Sequence, residues 1–171
     1  MNKSLVITLI GNDRPGIVES VAAVVLQHQG DWIESRMTNL NGKFTGILSV
    51  KIPQQAYQGF CADLKSSNED LNLLIEEIDD SYSQKMGQCY RLELVGQDHP
   101  GIVHRITEAL SEYGATVDDM ETEICEASMS GETLFKANIV LCLETGQCID
   151  ELSEVLEDLA NELIVDIELG E

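Results

Sequence analysis

The residues best suited to chemistry occur twice. Leu9-Ile10-Gly11-Asn12-Asp13-Arg14-Pro15-Gly16-Ile17-Val18 returns as Leu94-Val95-Gly96-Gln97-Asp98-His99-Pro100-Gly101-Ile102-Val103, at a constant offset of 85 with seven of ten pairs identical. Each copy joins an apolar strand-like run to an apolar helix-like run. Pro15 and Pro100 are placed to preset φ for a first helical turn, and Gly16 and Gly101 let the backbone turn with no side chain in the way. The first amides of such a helix have no intrahelical partner, and with the positive end of the helix dipole they suit a carboxylate. Asp13 and Asp98 can accept a ligand ammonium, so an α-amino acid would meet both its charges at one loop. The plainer role for both aspartates is helix N-cap, and the residues alone leave the two roles open. Arg14 and His99 share one slot with different charge, so the two loops would differ as binding sites. Asn12 and Gln97, just before the aspartates, keep an amide in both copies, which is also common in turns.

Other chemistries find little purchase. The histidines (His28, His99, His104) do not cluster with cysteines at zinc-site spacings, so no metal or cofactor is expected. Asp118, Asp119, Glu121, Glu123 and Glu126 read as solvated carboxylates along a strand, without the D-x-D-x-D-G loop of a calcium site. His99 beside Asp98 resembles an acid–base pair, but Arg14 takes its place in the first copy. With no nucleophile repeated beside a base, the chain is expected not to be an enzyme.

The elements that must position the loops follow in the same order in each half. Leu5–Ile10 and Tyr90–Val95 read as strands, the second with period-two alternation. Helices follow, with Val18, Val21, Ala22 and Val25 forming one apolar stripe and Val103, Ile106, Leu110 and Tyr113 the other. Gly30 and Gly114 are expected to end them in the left-handed conformation. Strands 32–40 and 44–52 flank Asn41-Gly42, a strong hairpin signal. Their counterparts, 117–125 and 134–143, are joined through Ser128–Gly131. A second helix carries Ala56, Phe60 and Leu64 in one half and Ile149, Leu152, Leu156, Leu159 and Leu163 in the other. Strands 71–78 and 164–169 close the units. The order βαββαβ implies an α+β fold of two tandem ferredoxin-like domains, each an antiparallel sheet with two helices on one face. The domains are expected at 1–80 and 89–171, with residues 81–88 as linker, and small enough to need each other's support.

The chain holds 31 acidic and 10 basic residues, a formal net charge of −21. The first 85 residues carry −4 of this and the rest −17. Such a surface repels phosphate, so direct nucleic-acid binding is disfavoured, as is docking on an anionic membrane. Leu5–Ile10 is too short to span a membrane and no signal-peptide h-region precedes it. Five cysteines (Cys61, Cys89, Cys125, Cys142, Cys148) without C-x-x-C spacing point to a reducing cytoplasm and free, mostly packed thiols.

A βαββαβ unit with Asp-Arg-Pro-Gly-Ile-Val between first strand and first helix resembles the ACT domain, a small-molecule-sensing module of amino-acid metabolism. Two such units filling nearly the whole chain, over residues 4–79 and 89–169, resemble the glycine cleavage system transcriptional repressor family. Gly11–Val18 followed by Ile33-Glu34-Ser35-Arg36-Met37 fits that pattern, whereas the second copy has His99 for the arginine and no Ser-Arg pair. The resemblance implies side-by-side pairing of the domains into a continuous sheet, with the ligand at the interface, while the sequence leaves a homo-oligomer open. It also implies an amino-acid ligand, glycine among the candidates, at Asn12, Asp13, Arg14, Pro15, Gly16 and Ile17. The equivalents are Gln97, Asp98, His99, Pro100, Gly101 and Ile102. It implies transcriptional control through a LysR-type activator rather than through DNA contact. The competing expectation is a regulatory subunit acting in trans on an amino-acid or folate enzyme, and a third is an adaptor that has lost its ligand.

Overall fold

The computed structural model of the chain describes residues 2–79, 87–127 and 132–170. The chain divides into two compact units, Met1–Ser83 and Gln84–Glu171. In the first, β1 (Asn2–Asn12), α1 (Ile17–Gln27), β2 (Asp31–Leu40), β3 (Lys43–Pro53), α2 (Tyr57–Ser67) and β4 (Leu71–Ile78) follow in order. In the second, β5 (Gln88–Gln97), α3 (Ile102–Tyr113), β6 (Thr116–Glu126), β7 (Thr133–Leu143), α4 (Ile149–Leu163) and β8 (Val165–Gly170) repeat that order. Both sheets are antiparallel throughout, in the orders β2-β3-β1-β4 and β6-β7-β5-β8. This is the βαββαβ architecture read from the repeat. Most of the expected linker, and the Ser128–Gly131 connection, lie outside the described residues.

The offset of 85 runs on past the loop motif. It reaches a register shift in the edge strand, between Trp32 and Glu34 in one unit and between Val117 and Asp119 in the other. Only then do the units diverge in length. Asn41 and Gly42 take positive φ of 51° and 76°, giving the two-residue turn that Asn-Gly favours, while the β6–β7 connection is longer.

Alternation along the central strands sets the core. Leu5, Ile7 and Leu9 of β1 meet Leu48, Val50 and Ile52 of β3, and Ile17, Val21, Val24 and Val25 of α1 with Phe60 and Leu64 of α2 cover them. In the second unit Tyr90, Leu92 and Leu94 take the β1 role, beneath Ile106 and Leu110 of α3 and Leu152 and Leu156 of α4. The expected helical stripe is rotated slightly at its start. Val18 and Val103 point outward, 44% and 39% exposed, and Ile17 and Ile102 are the buried residues of the first turn.

Two local expectations are corrected. The left-handed residue after α1 is Gln29 (φ 55°), not Gly30. Gln29 N–H bonds Leu26 O and Gly30 N–H bonds Val25 O, the paired contacts of a Schellman cap. Gly114 (φ 86°), which follows Gln29 by 85, has the same pair to Ser111 and Leu110 through itself and Ala115. Gly30 is instead a packing glycine, since a Cβ there would stand 2.3 Å from Ile52 Cδ1. Ile164, expected to open the last strand, is the left-handed C-cap of α4 (φ 56°), 82% exposed, and the strand begins at Val165.

The cysteines also depart from expectation. Cys89 and Cys142 stand directly opposite on β5 and β7 and are joined by a disulfide, while Cys61, Cys125 and Cys148 are free. The partners lie 53 residues apart, so the pairing shows only in strand register and not in local spacing. Among the described residues no helix is long and apolar enough to cross a membrane.

Candidate functional site: the strand-to-helix loops

Each loop makes the same backbone turn. Gly16 (φ 87°, ψ 6°) and Gly101 (φ 91°, ψ −2°) are the N-caps of α1 and α3 in the left-handed region. These angles are those of the third residue of a type II turn, with Pro15 or Pro100 ahead of it. Ile102 N–H closes that turn on His99 O at 3.5 Å. The prolines therefore set a turn before the helix rather than its first turn, because helical geometry starts only at Ile17 and Ile102. Ser20 N–H to Gly16 O and Arg105 N–H to Gly101 O are the first helical bonds, so the preceding amides stand ahead of the ladder.

Neither helix has a side-chain cap, which removes the N-cap role weighed for Asp13 and Asp98. Both aspartates instead continue the sheet, Asp13 N–H bonding Gly42 O at 2.9 Å and Asp98 N–H bonding Thr133 O at 3.0 Å. Ile17 and Ile102 are buried, 2% and 3% exposed, so their side chains serve the core and only their main chain faces the loop.

The first loop is fastened by three polar contacts. Asn12 Oδ1 accepts from Lys43 Nζ at 2.5 Å, and Asp13 Oδ2 accepts from Asn39 Nδ2 at 2.5 Å. Arg14 grips Asp70 with two bonds, Nε to Oδ2 and Nη2 to Oδ1, which ties the loop to the residue before β4. Further along α1, Ser20 Oγ donates to Asn68 Oδ1 at 2.7 Å, and the fully buried Asn68 returns a bond to Leu64 O. Asn39, Lys43, Asn68 and Asp70 were not singled out from sequence. The Asn-Gly turn is the signal for one of them, since a two-residue hairpin places Lys43 at the mouth of the loop.

The second loop has none of the three fastenings. Strand register puts Leu134 opposite Gln97 where Lys43 faces Asn12, and Ile124 beside Phe135 where Asn39 sits beside Phe44. Ile164, preceding β8, stands in the place of Asp70, and His99 Nδ1 lies 3.3 Å from Pro100 O. The backbone shape is duplicated while its polar surroundings belong to the first unit.

The Arg14–Asp70 pair gives a pH signature. The bond from Arg14 is the chief cause holding Asp70 below the ordinary carboxylate value of 3.8, against a smaller opposing effect of desolvation. A depressed folded value means the contact is intact at neutral pH and is lost as pH falls through the lowered Asp70 value. The Arg14 Nε resonance should therefore titrate with a midpoint below 3.8, and Asp70→Asn should abolish that transition. A midpoint at or above the ordinary value would show that the pair does not form in solution.

Residues 3–77 and 92–169 each match the model of the ACT domain. The chain is 31% identical over 70 residues to the UPF0237 protein YjhC of Lactococcus lactis, covering 41% of this chain and 80% of that one. It is 30% identical over 76 residues to the UPF0237 protein MMP0657 of Methanococcus maripaludis, covering 44% and 74%. Among solved structures, an unknown protein from Galdieria sulphuraria superposes with a TM-score of 0.89 at 26% identity, covering 99% of this chain and 98% of that one. A glycine cleavage system transcriptional repressor superposes with a TM-score of 0.74 at 20% identity, covering 99% and 97%, and so shares the fold. With two matched domains spanning most of its length, the chain belongs to the ACT-domain family.

Proposed function

We propose that the protein is a non-catalytic regulator that binds a small amino acid, glycine among the candidates, at its strand-to-helix loops. Through a partner transcription factor of LysR type, it controls genes of amino-acid metabolism. The observation that carries this reading is the uncapped N-terminus of α1 behind Gly16, with the Asp13 carboxylate in the same loop. The amides ahead of the helical ladder would take the ligand carboxylate, and Asp13 its ammonium. Asp13 is engaged by Asn39 through Oδ2, and an ionised carboxylate keeps acceptor sites beyond that bond. Arg14 acts by holding the loop to Asp70, which makes it a positioning residue. The tandem ACT architecture and the shared fold of a glycine cleavage repressor support a regulatory role. The acidity of the second unit suits a basic partner better than nucleic acid.

The test is a melting screen of the full chain against the common amino acids, followed by calorimetry. A ligand at 100 times its Kd should add about 2.7 kcal/mol of stability, a readily measured rise in Tm. Co-purification with the LysR-type activator should then change when that amino acid is added. If no amino acid moves the melt at millimolar concentration, the sensing reading fails.

A further inference from the structure

Within the first unit the helices cover one face of the sheet and leave its other face, the open face, without a helix over it. Beside the register shift in β2, that open face has a hollow of about 190 Å³ lined by Val6, Glu34, Arg36, Ile47 and Ser49 among others. Strand register explains why these side chains meet. Ser49 pairs with both Val6 and Glu34, and Arg36 pairs with Ile47, so all five lie on one face. Glu34 and Arg36 are two residues apart on β2, which spaces them by about 7 Å along the strand. The result is a carboxylate and a guanidinium held over an apolar floor with a hydroxyl alongside.

We propose that this face binds one small zwitterionic α-amino acid per chain, at a site separate from the strand-to-helix loops. Arg36 takes the carboxylate through its planar fork, Glu34 takes the ammonium, and a small side chain rests on Val6 and Ile47. Arg36 already takes part in another interaction, and its five donors leave capacity for a ligand. The volume equals that of about six waters at ~30 Å³ each, enough for a small amino acid. A phosphate ligand fits poorly, because Glu34 would repel it beside a single arginine.

The second unit serves as an internal control. Its register places Arg91, Asp119, Glu121, Asn138 and Val140 at the five corresponding positions. Glu121 in place of Arg36 turns a zwitterion-matching pair into two carboxylates. The hollow on that face is lined by Glu121, Thr122, Glu123, Lys136 and Asn138, with Lys136 3.8 Å from Glu123. Arg91 brings a guanidinium to the Val6 position, but the strand pair that would grip the zwitterion is doubly acidic, so the second unit is expected to bind it more weakly.

The inference rests on the amino-acid-sensing reading for its ligand class and not for its site. The test titrates glycine, alanine and serine into the full chain and into Arg36→Gln, Glu34→Gln and Asp13→Asn variants by calorimetry. Amide shifts of Val6 and Ser49 are followed in parallel by NMR. A site here predicts that Arg36→Gln weakens binding at least tenfold, that Glu34→Gln weakens it too, and that Asp13→Asn leaves those shifts unchanged. Wild-type binding in both face variants overturns the proposal, and if Asp13→Asn alone loses the ligand the loop reading stands without it. Absence of any binding by the wild-type chain overturns both.

Discussion

Phe60→Ala should destabilise the first unit by about 3–5 kcal/mol, the range for removing a large aromatic side chain from a well-packed core. Phe60 is completely buried on α2, among Leu5, Ile7 and Leu9 of the central strand and Val21 of α1. Its ring also supports a contact between helices. His28, the C-cap of α1, stands edge-on to it with centroids 5.9 Å apart, and His28 Nε2 lies 2.8 Å from Asp63 Oδ2 of α2. Truncation therefore leaves a cavity and removes the wall against which that pair rests. A unit of about eighty residues has little stability to spare. The chain offers a reporter of its own, because its single tryptophan, Trp32, packs against this core. Urea unfolding followed by Trp32 fluorescence should show a much lower midpoint with an unchanged m-value. A loss below about 1 kcal/mol would mean the helices do not close over Phe60 as described.

The fold was legible in the sequence because the units obey local rules and then obey them again. Alternation in Tyr90–Val95 and the Asn41-Gly42 turn fix strand faces and hairpin without help from distant residues. The duplication turned weak local signals into strong ones. It also misleads at one point, because the nearest glycine ends the helix in the second copy and not in the first. The backbone kept the offset of 85 and put Gln29, not Gly30, in the left-handed position. Side-chain identity had drifted while geometry stayed.

The site was legible only in outline. Asp13, Pro15 and Gly16 are contiguous, so a motif finds them. The partners that hold them, Asn39, Lys43 and Asp70, come from β2, β3 and the approach to β4, and only register brings them together. The same holds for Cys89 and Cys142. Charge asymmetry was visible as a sum, but its placement was not. Glu93, Asp119, Glu121, Glu123, Asp166 and Glu168 share the open face of the second sheet, where the first has Thr8, Glu34, Arg36, Thr38, Asn72 and Leu74. Six of the second unit's twenty acidic residues thus gather on one sheet face, and another six lie along α4.

Gly16→Asn should leave the first unit folded and reduce amino-acid binding at its loop at least tenfold, equivalent to about 1.4 kcal/mol. The obvious alternative, Gly16→Val, cannot make this distinction. At φ 87° a β-branched residue is a backbone outlier, so valine would cost stability whether or not a ligand binds there. Asparagine tolerates the left-handed region far better, so it separates strain from obstruction. A Cβ at Gly16 would meet nothing within 4 Å, which means the new side chain enters space the protein leaves open at the head of α1. That is the space a carboxylate must cross to reach the amides ahead of the Ser20–Gly16 bond. Gly101→Asn serves as the matched control. Its backbone is the same, at φ 91° with nothing within 4 Å, but the loop around it lacks the Asp13–Asn39 and Arg14–Asp70 contacts. Melting curves should place both asparagine variants near the parent, with Gly16→Val well below them. Calorimetry should then show the loop's share of the binding lost from Gly16→Asn alone. Parental affinity in Gly16→Asn would mean that the amides of α1 do not seat the ligand, and the open face bearing Glu34 and Arg36 would be the place left to hold it.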